Sequence, residues 1–156
     1  MRVFYLLMTM CIFSSCKSQN GPSANKEESL NESQNKNVKE VRYQRQARSG
    51  SSLLVFGPKQ LTISYANKKT QTYTYPQQEW DSIVYFASKI DLAEMPGLKA
   101  PTQQRTYDGA AAAQLTIVVE QKAWSSSTFD DGYPPDDISE LVHKLLSLEE
   151  DFLKNR

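Results

Sequence analysis

Residues 53–75 read LLVFGPKQLTISYANKKTQTYTY, and the pattern of this stretch decides the class of the fold. The apolar run at 53–56 predicts a short buried strand. Apolar and polar residues alternate over 61–65, and Thr alternates with Tyr over 70–75, which predicts two more strands. Short turns separate the three, at Gly57-Pro58 and at Asn67-Lys68. Strands joined by such short turns pair antiparallel, so we expect a meander.

The segments on either side of this stretch extend the sheet. Residues 41–47 alternate in the same way and predict a first strand, followed by a turn at 49–51. Residues 115–119 read LTIVV, which is apolar on both faces and predicts a central strand. Residues 123–129 follow after a turn and predict its return partner.

Two segments have helical spacing instead. The first follows Pro76, a residue suited to the first turn of a helix, and its apolar positions are Trp80, Ile83, Val84, Ala87 and Ile90. The second is close to the end of the sequence, with one stripe made of Ile138, Leu141, Val142, Leu145, Leu146 and Phe152. We therefore predict an α+β fold, an antiparallel sheet with two helices in the order ββββ-α-ββ-α. It forms a single globular domain over residues 38–156.

The N-terminal residues have the form of an export signal. Arg2 precedes an apolar run that is too short to span a bilayer, which takes about 20 residues. Phe13-Ser14-Ser15-Cys16 then resembles the lipobox of bacterial lipoproteins, whose signal is cut before the Cys and whose thiol is acylated. The resemblance implies a signal peptide over residues 1–15 and lipid attachment at Cys16. An ordinary signal peptide and a buried N-terminal strand remain the alternatives.

Residues 16–37 link this signal to the domain. From residue 17 onward they are almost entirely Asn, Ser, Lys, Glu and Gln, and such a segment cannot bury enough surface to order itself. We therefore predict a disordered tether. Lys17 is not the Asp that retains enteric lipoproteins in the inner membrane. By resemblance to that family, the protein is expected at the periplasmic face of the outer membrane.

Composition excludes several classes of function. The 18 basic and 18 acidic side chains balance, which argues against binding nucleic acid through bulk charge. Two Cys and one His cannot form a four-ligand zinc site. We expect no cofactor and no metal, and none of the common catalytic motifs occurs.

His143 and three serines are the only candidates for nucleophilic catalysis. Helical geometry places His143 away from the apolar stripe, and therefore in solvent. Serines 125–127 lack the context of a nucleophile motif and are expected on a solvated face of the sheet. A hydrolase that uses His143 is the least favoured hypothesis.

The acidic residues near the end of the sequence have two interpretations. Asp130, Asp131, Asp136, Asp137 and Glu140 supply oxygen ligands, but their spacing matches no EF-hand. Capping of the last helix by Asp136 and Asp137 is the favoured interpretation. Residues 120–151 hold nine acidic and two basic side chains, so we expect a solvent-facing acidic turn at 130–131 that could steer a basic partner.

The domain also resembles the emfourin-type small inhibitors of metalloproteases over residues 43–150. The matching features are Arg48-Ser49-Gly50, the helix around 80–92, the strand pair at 115–129, and Pro135 with Leu141, Leu145 and Leu148. The resemblance implies a protease inhibitor as one possible function and assigns no inhibitory residue.

The function expected from the sequence is binding without catalysis. A lipid-anchored domain would contact the membrane through Cys16 and bind a protein or another envelope component. Trp80, Tyr73 and Tyr75 are expected in the core, although exposed aromatic side chains would mark the contact site instead.

Overall fold

The computed structural model describes residues 37–66 and 68–154. The expected signal peptide, Cys16 and all of the tether except Asn37 lie outside these residues, as does Asn67 of the expected turn. The strands are β1 (Val38–Ala47), β2 (Gly50–Phe56), β3 (Gln60–Tyr65), β4 (Gln71–Thr74), β5 (Ala112–Val119), β6 (Lys122–Ser125) and β7 (Phe129–Asp130). The helices are α1 (Gln77–Ser88), the short α2 (Gln104–Tyr107) and α3 (Asp136–Lys154), with a 3₁₀ turn at Met95–Gly97.

The strands form one antiparallel sheet in the order β4-β3-β2-β1-β5-β6, and β7 pairs with the start of β5. The α+β class and the strand-then-helix order are therefore confirmed. The meander of β1 to β4 arises because each pair is joined by a short turn and the apolar residues alternate in register. Tyr43 pairs with Leu54, and Leu54 pairs with Ile63, so one face collects the apolar side chains.

That apolar face is the core face, and both long helices cover it. Trp80, Ile83 and Ala87 of α1 are buried there. Helix α3 buries a stripe made of Ile138, Leu141, Val142, Leu145 and Leu148. Burying one side chain of this size contributes about 1.5–3 kcal/mol to the free energy of unfolding. The apolar stripe is therefore the main reason why α3 packs on the core face.

The two helices also contact each other through ion pairs. Lys89 Nζ lies 2.9 Å from Glu140, and Lys144 Nζ lies 2.5 Å from Glu79. The Lys89–Glu140 pair is exposed and the Lys144–Glu79 pair is half-buried. Ion pairs near the surface contribute little to the free energy of unfolding, so the contact between the helices rests mainly on their apolar side chains.

The opposite side of the sheet, here called the open face, carries Gln44, Leu53, Thr62, Thr72 and Thr116 together with their same-face neighbours. The two long helices bury their apolar stripes against the core face, so neither of them packs on the open face. Residues 102–105 lie on the open-face side of β7, where they donate hydrogen bonds to Asp130, the register partner of Ala112. Strand β5 lies between β1 and β6 and is half-buried on the open face, which matches its apolar sequence.

Several sequence predictions about strand ends are wrong. Gly50 begins β2 instead of forming the middle of the turn, which lies at Arg48 and Ser49. Leu53 and Val55 are only half-buried, because β2 alternates rather than burying a continuous run. Between α1 and β5 the chain forms the 3₁₀ turn and α2, two elements that the sequence analysis did not predict.

The predicted strand over residues 123–129 is broken into β6 and β7. Ser126 causes the break, because its Oγ accepts a hydrogen bond from the Leu115 amide (3.1 Å) and donates one to the Ser127 carbonyl (2.7 Å). Ser126 is 3% exposed, so the expectation that the three serines form a solvated face is wrong. Ser125 bonds Thr116, and Ser127 bonds the Leu98 carbonyl.

The two ends of the sheet differ. At the Asn37 end, the described chain begins beside the turn that joins β5 to β6, and the side-chain amide of Asn37 donates a hydrogen bond to the Glu120 carboxylate (3.0 Å). At the other end, here called the loop end, lie the turns that join β1 to β2 and β3 to β4. The segments 107–111 and 131–133 lie there as well. Strand β1 joins the two ends over about 30 Å, at 3.3 Å per residue.

Candidate binding surface at the loop end

Asp130 is a buried carboxylate that organises the loop end. It is 0% exposed and accepts four hydrogen bonds. The donors are the Thr102 hydroxyl (2.5 Å), the Gln104 amide (2.7 Å), and the amide and guanidinium of Arg105 (both 3.0 Å). A buried charge is tolerated only when it is paired and fully hydrogen-bonded, and both conditions hold here.

The protonation of Asp130 follows from this arrangement. Burial by itself would raise the pKa of Asp130, but the Thr102 hydroxyl, the Arg105 guanidinium and the two backbone amides hold that pKa well below its usual range. The carboxylate therefore stays ionised at neutral pH. It fixes the start of α2 against β7.

Asp131, the next residue, belongs to a second network. Its Oδ1 accepts hydrogen bonds from the Tyr43 hydroxyl (2.7 Å) and from Nε of Arg45 (3.0 Å). The expected solvent-facing acidic turn is therefore wrong at both residues. Strand β1 and residues 102–105 supply the donors, which lie 25 to 88 residues away in sequence.

Arg45 connects this network to α3. Its Nη1 and Nη2 donate to the two carboxylate oxygens of Glu149 at 2.8 and 2.5 Å, the bidentate geometry that makes such pairs strong. Burial acts to lower the pKa of Arg45, and Glu149 with Asp131 more than offsets this, so the pKa is raised. Burial and then Asp131 raise the pKa of the Tyr43 hydroxyl, which therefore remains a donor.

A groove of about 360 Å³ opens beside Arg45. Its walls come from the start of β2, the end of β3 and the loop before β5. Lys68 Nζ lies 5.4 Å from the centre of the Tyr65 ring, a cation–π contact at the rim. The lining residues are Arg45, Ala47, Ser49, Gly50, Ser51, Ser52, Tyr65, Ala66, Lys68 and Ala111.

Two exposed tyrosines flank the segments that Asp130 and Asp131 hold. Tyr107 is 75% exposed at the end of α2, and Tyr133 is 56% exposed in the turn after β7. The Tyr133 amide donates to the Asp130 carbonyl (2.8 Å). Gly109 and Gly132 take positive φ values of 71° and 83°, which permits the tight turns beside each tyrosine.

The remaining candidates from the sequence lie elsewhere. His143 is exposed on α3, as expected. Asp136 and Asp137 lie in the first turn of α3, but Glu140 bonds Lys89 instead of completing a capping box with Asp137. Trp80 and Tyr75 are in the core, and Tyr73 is half-buried against it, stacking on Phe152. Cys16 lies outside the described residues.

Residues 37–66 and 68–154 contain neither a cluster of metal ligands nor a helix that could span a membrane. No three side chains of His, Cys, Asp or Glu come together there as metal ligands would. No helix of this part is long and apolar enough to cross a bilayer.

Comparison with known proteins adds no assignment. The chain matches no protein-family model and no curated protein. The resemblances to lipoproteins and to emfourin-type inhibitors therefore stand on the residues quoted for them.

Proposed function

We propose that this chain is a lipid-anchored envelope protein whose domain binds a protein partner through the loop end, without catalysis of its own. The observation that carries this proposal is the display of Tyr107 and Tyr133 on segments fixed by a buried carboxylate. Exposed tyrosines supply a large contact area, and fixing them in advance reduces the ordering entropy lost on binding.

The position of the loop end supports the same proposal. The described chain begins at the other end of the sheet, about 30 Å away along β1. If Cys16 holds the protein at a membrane, the chain reaches the domain from the Asn37 end. The groove and both tyrosines then lie at the end of the sheet farther from the attachment point, and a disordered tether leaves them accessible to a partner.

Tyrosine variants test the binding surface. In crosslinking and pulldown from membranes, Tyr107→Ala with Tyr133→Ala should lose the partner that the wild-type protein captures, because the anchor side chains are gone. Tyr85→Ala is the matched control, since Tyr85 is 59% exposed but lies on α1. Equal capture by the loop-end variant and the control would exclude this surface.

A protease inhibitor is the second candidate, and it uses the same surface. The specific observation is the pair of hydrogen bonds from the backbone amides of Gln104 and Arg105 to Asp130, because a bound loop resists cleavage when its backbone is held in place. Residual metalloprotease activity in the presence of the purified protein is the direct measurement. If the activity of the metalloprotease is unchanged, inhibition of that protease is excluded and the proposal of partner binding stands alone.

The arrangement gives no support to a hydrolase that uses His143. Such a mechanism needs a serine within hydrogen-bond reach of the imidazole. The three serines of residues 125–127 bond β5 or the backbone at Leu98 instead.

A further inference from the structure

We infer that the groove at the loop end receives an Asp or Glu side chain of the protein partner. The inference rests on the proposed function and adds the chemistry of the partner at that surface. Three polar side chains form a row across the floor of the groove. Arg45 of β1 pairs with Ser52 of β2, and Ser52 pairs with Tyr65 of β3. Directly opposed residues project from the same face with Cβ atoms about 4.5–5.5 Å apart, and all three line the groove.

Ser52 is a buried hydrogen-bond donor without a partner. It is 9% exposed, and its hydroxyl makes no hydrogen bond to another of the described residues. The Tyr65 hydroxyl likewise makes no hydrogen bond within this part of the chain. A buried polar group that stays unpaired costs free energy, so the groove favours a ligand with acceptor oxygens.

Open space lies directly beside this row. Ala47 and Gly50 form the next pair along β1 and β2 on the same face. A Cβ atom placed on Gly50 would meet no atom within 4 Å. The groove holds about 360 Å³, near the lower end of the range for ligand sites. It therefore suits one or two side chains of a partner.

The charges around the groove favour an anion. No Asp or Glu is among the residues that line it. Lys68 at the rim contacts the Tyr65 ring, and Arg48 in the turn between β1 and β2 lies against Gly109. Neither cation forms an ion pair with a carboxylate of residues 37–66 and 68–154. Their charge is therefore available to a partner.

Arg45 supplies hydrogen-bond donors rather than net charge. Glu149 and Asp131 more than neutralise its guanidinium, so the attraction for an anion comes from Lys68 and Arg48. Three of the five N–H groups of Arg45 bind those two carboxylates, which leaves two for a ligand. A carboxylate in the groove would thus meet hydroxyl and N–H donors at the floor and two cations around it.

The form of the site favours an acidic side chain over a chain terminus. Sites that capture a terminal carboxylate use successive backbone amides, whereas the donors here belong to side chains. The wall residue Ala111 accepts a hydrogen bond from the Asp131 amide (2.9 Å), which links the groove to the turn that carries Tyr133. A partner that places an acidic side chain in the groove can therefore contact this tyrosine as well.

A pair of peptides tests the inference by NMR. The probes are acetyl-Gly-Glu-Ser-Glu-Gly-amide and the same peptide with Gln in place of both Glu residues. The ¹⁵N-labelled full chain in a neutral detergent is titrated with each peptide up to about 10 mM, which reaches affinities in the millimolar range. The Glu peptide should shift the amide signals of Ser52, Tyr65 and Lys68. The Gln peptide should not, because it lacks the charge.

Two variants locate the site. Ser52→Ala should weaken binding of the Glu peptide about tenfold, because a hydrogen bond to a charged acceptor is lost. Lys68→Gln should weaken it about threefold, and less at high salt, because Lys68 is exposed. Lys59→Gln is the matched control, since Lys59 is exposed in the turn between β2 and β3 at the Asn37 end. The control should bind as wild type does.

Thermal unfolding checks that the variants fold, and Lys68→Gln carries the test if Ser52→Ala does not fold. Equal shifts with both peptides, no shifts at all, or equal affinity of Lys68→Gln and Lys59→Gln would overturn the inference. So would a Gln peptide that binds only when its carboxyl terminus is free, because the groove would then take a chain terminus. If the inference fails while Tyr107→Ala with Tyr133→Ala still loses the partner, the proposed function stands and only the role of the groove is excluded.

Discussion

At the scale of single residues, Asp130 matters most. Its local sequence suggests an exposed turn, but the residue is buried and organises the loop end. It is the last residue of the two-residue strand β7 and precedes Asp131-Gly132, a context typical of a surface turn. Its four hydrogen bonds instead come from residues 102–105. A carboxylate in this position sets the conformation of the segment that carries Tyr107.

The first prediction is that Asp130→Asn destabilises the domain. An amide cannot accept all four hydrogen bonds, and it leaves Arg105 without its counter-charge, so the loss should be about 2–3 kcal/mol. The midpoint of urea unfolding measures it. Asp108→Asn is the control, because Asp108 is exposed and should change stability by less than about 0.5 kcal/mol. Equal midpoints for the two variants would contradict the role of Asp130.

A second prediction concerns pH. The hydrogen bonds to the ionised carboxylate hold the pKa of folded Asp130 well below the unfolded value of about 3.9. The contribution of the ionised Asp130 to the free energy of unfolding is therefore fully present above the pKa of the unfolded state. It is lost as the pH falls toward the pKa of the folded state. The stability difference between wild type and Asp130→Asn should stay constant from about pH 5 to 8 and shrink below about pH 4. Urea titrations across this range measure it, and a difference that grew on acidification would contradict the sign.

At the scale of elements, Arg45 and Glu149 join the sheet to α3. Both occupy positions that face inward. Arg45 continues the alternation of Val41 and Tyr43 on β1, and Glu149 lies on the buried stripe of α3 beside Leu145. A charged side chain at an inward position requires a partner of opposite charge. This pattern was present in the sequence and could have indicated the pair.

The third prediction tests this connection. Glu149→Gln should destabilise the domain by about 2–4 kcal/mol, because it leaves the half-buried Arg45 guanidinium without its bidentate counter-charge. Glu150→Gln on the next residue is the control, since the Glu150–Lys154 pair is exposed and contributes about 0.5 kcal/mol or less. Chemical unfolding of the two variants gives the comparison. A similar loss for both would mean that the bidentate pair contributes no more than a surface pair.

The spacing of apolar residues along the sequence was sufficient to predict the strands and helices in which buried and exposed positions recur regularly. The alternation of β1 and β3 and the apolar stripe of α3 confirm this. The pattern was insufficient where distant residues decide. The break at Ser126 depends on the Leu115 amide, and α2 depends on Asp130, which lies 26 residues beyond Gln104. The loop end was missed for the same reason, because contacts between distant segments build it.

At the scale of the whole molecule, the two ends and the two faces of the domain differ in what they carry. The long helices cover the core face, the open face carries mostly neutral polar side chains, and the loop end carries the two exposed tyrosines. The described chain begins at the remaining end. This arrangement is consistent with attachment through an N-terminal segment, because nothing at the loop end or on the open face needs to lie against a membrane.

The last prediction tests that attachment. Cys16 follows Phe13-Ser14-Ser15, the lipobox-like sequence, and would be the first residue after cleavage. Cys16→Ala should abolish labelling by a fatty-acid analogue and remove the protein from the outer-membrane fraction, because the acylated thiol is lost. Cys11→Ala is the matched control, since Cys11 lies within the expected signal peptide and would be removed with it. That variant should be labelled like wild type. A Cys16→Ala protein that is still labelled would show that the lipid is attached elsewhere, and an unlabelled wild type would show that the signal is of the ordinary secretory kind. The proposal that the loop end lies farther from the membrane attachment would then lose its basis.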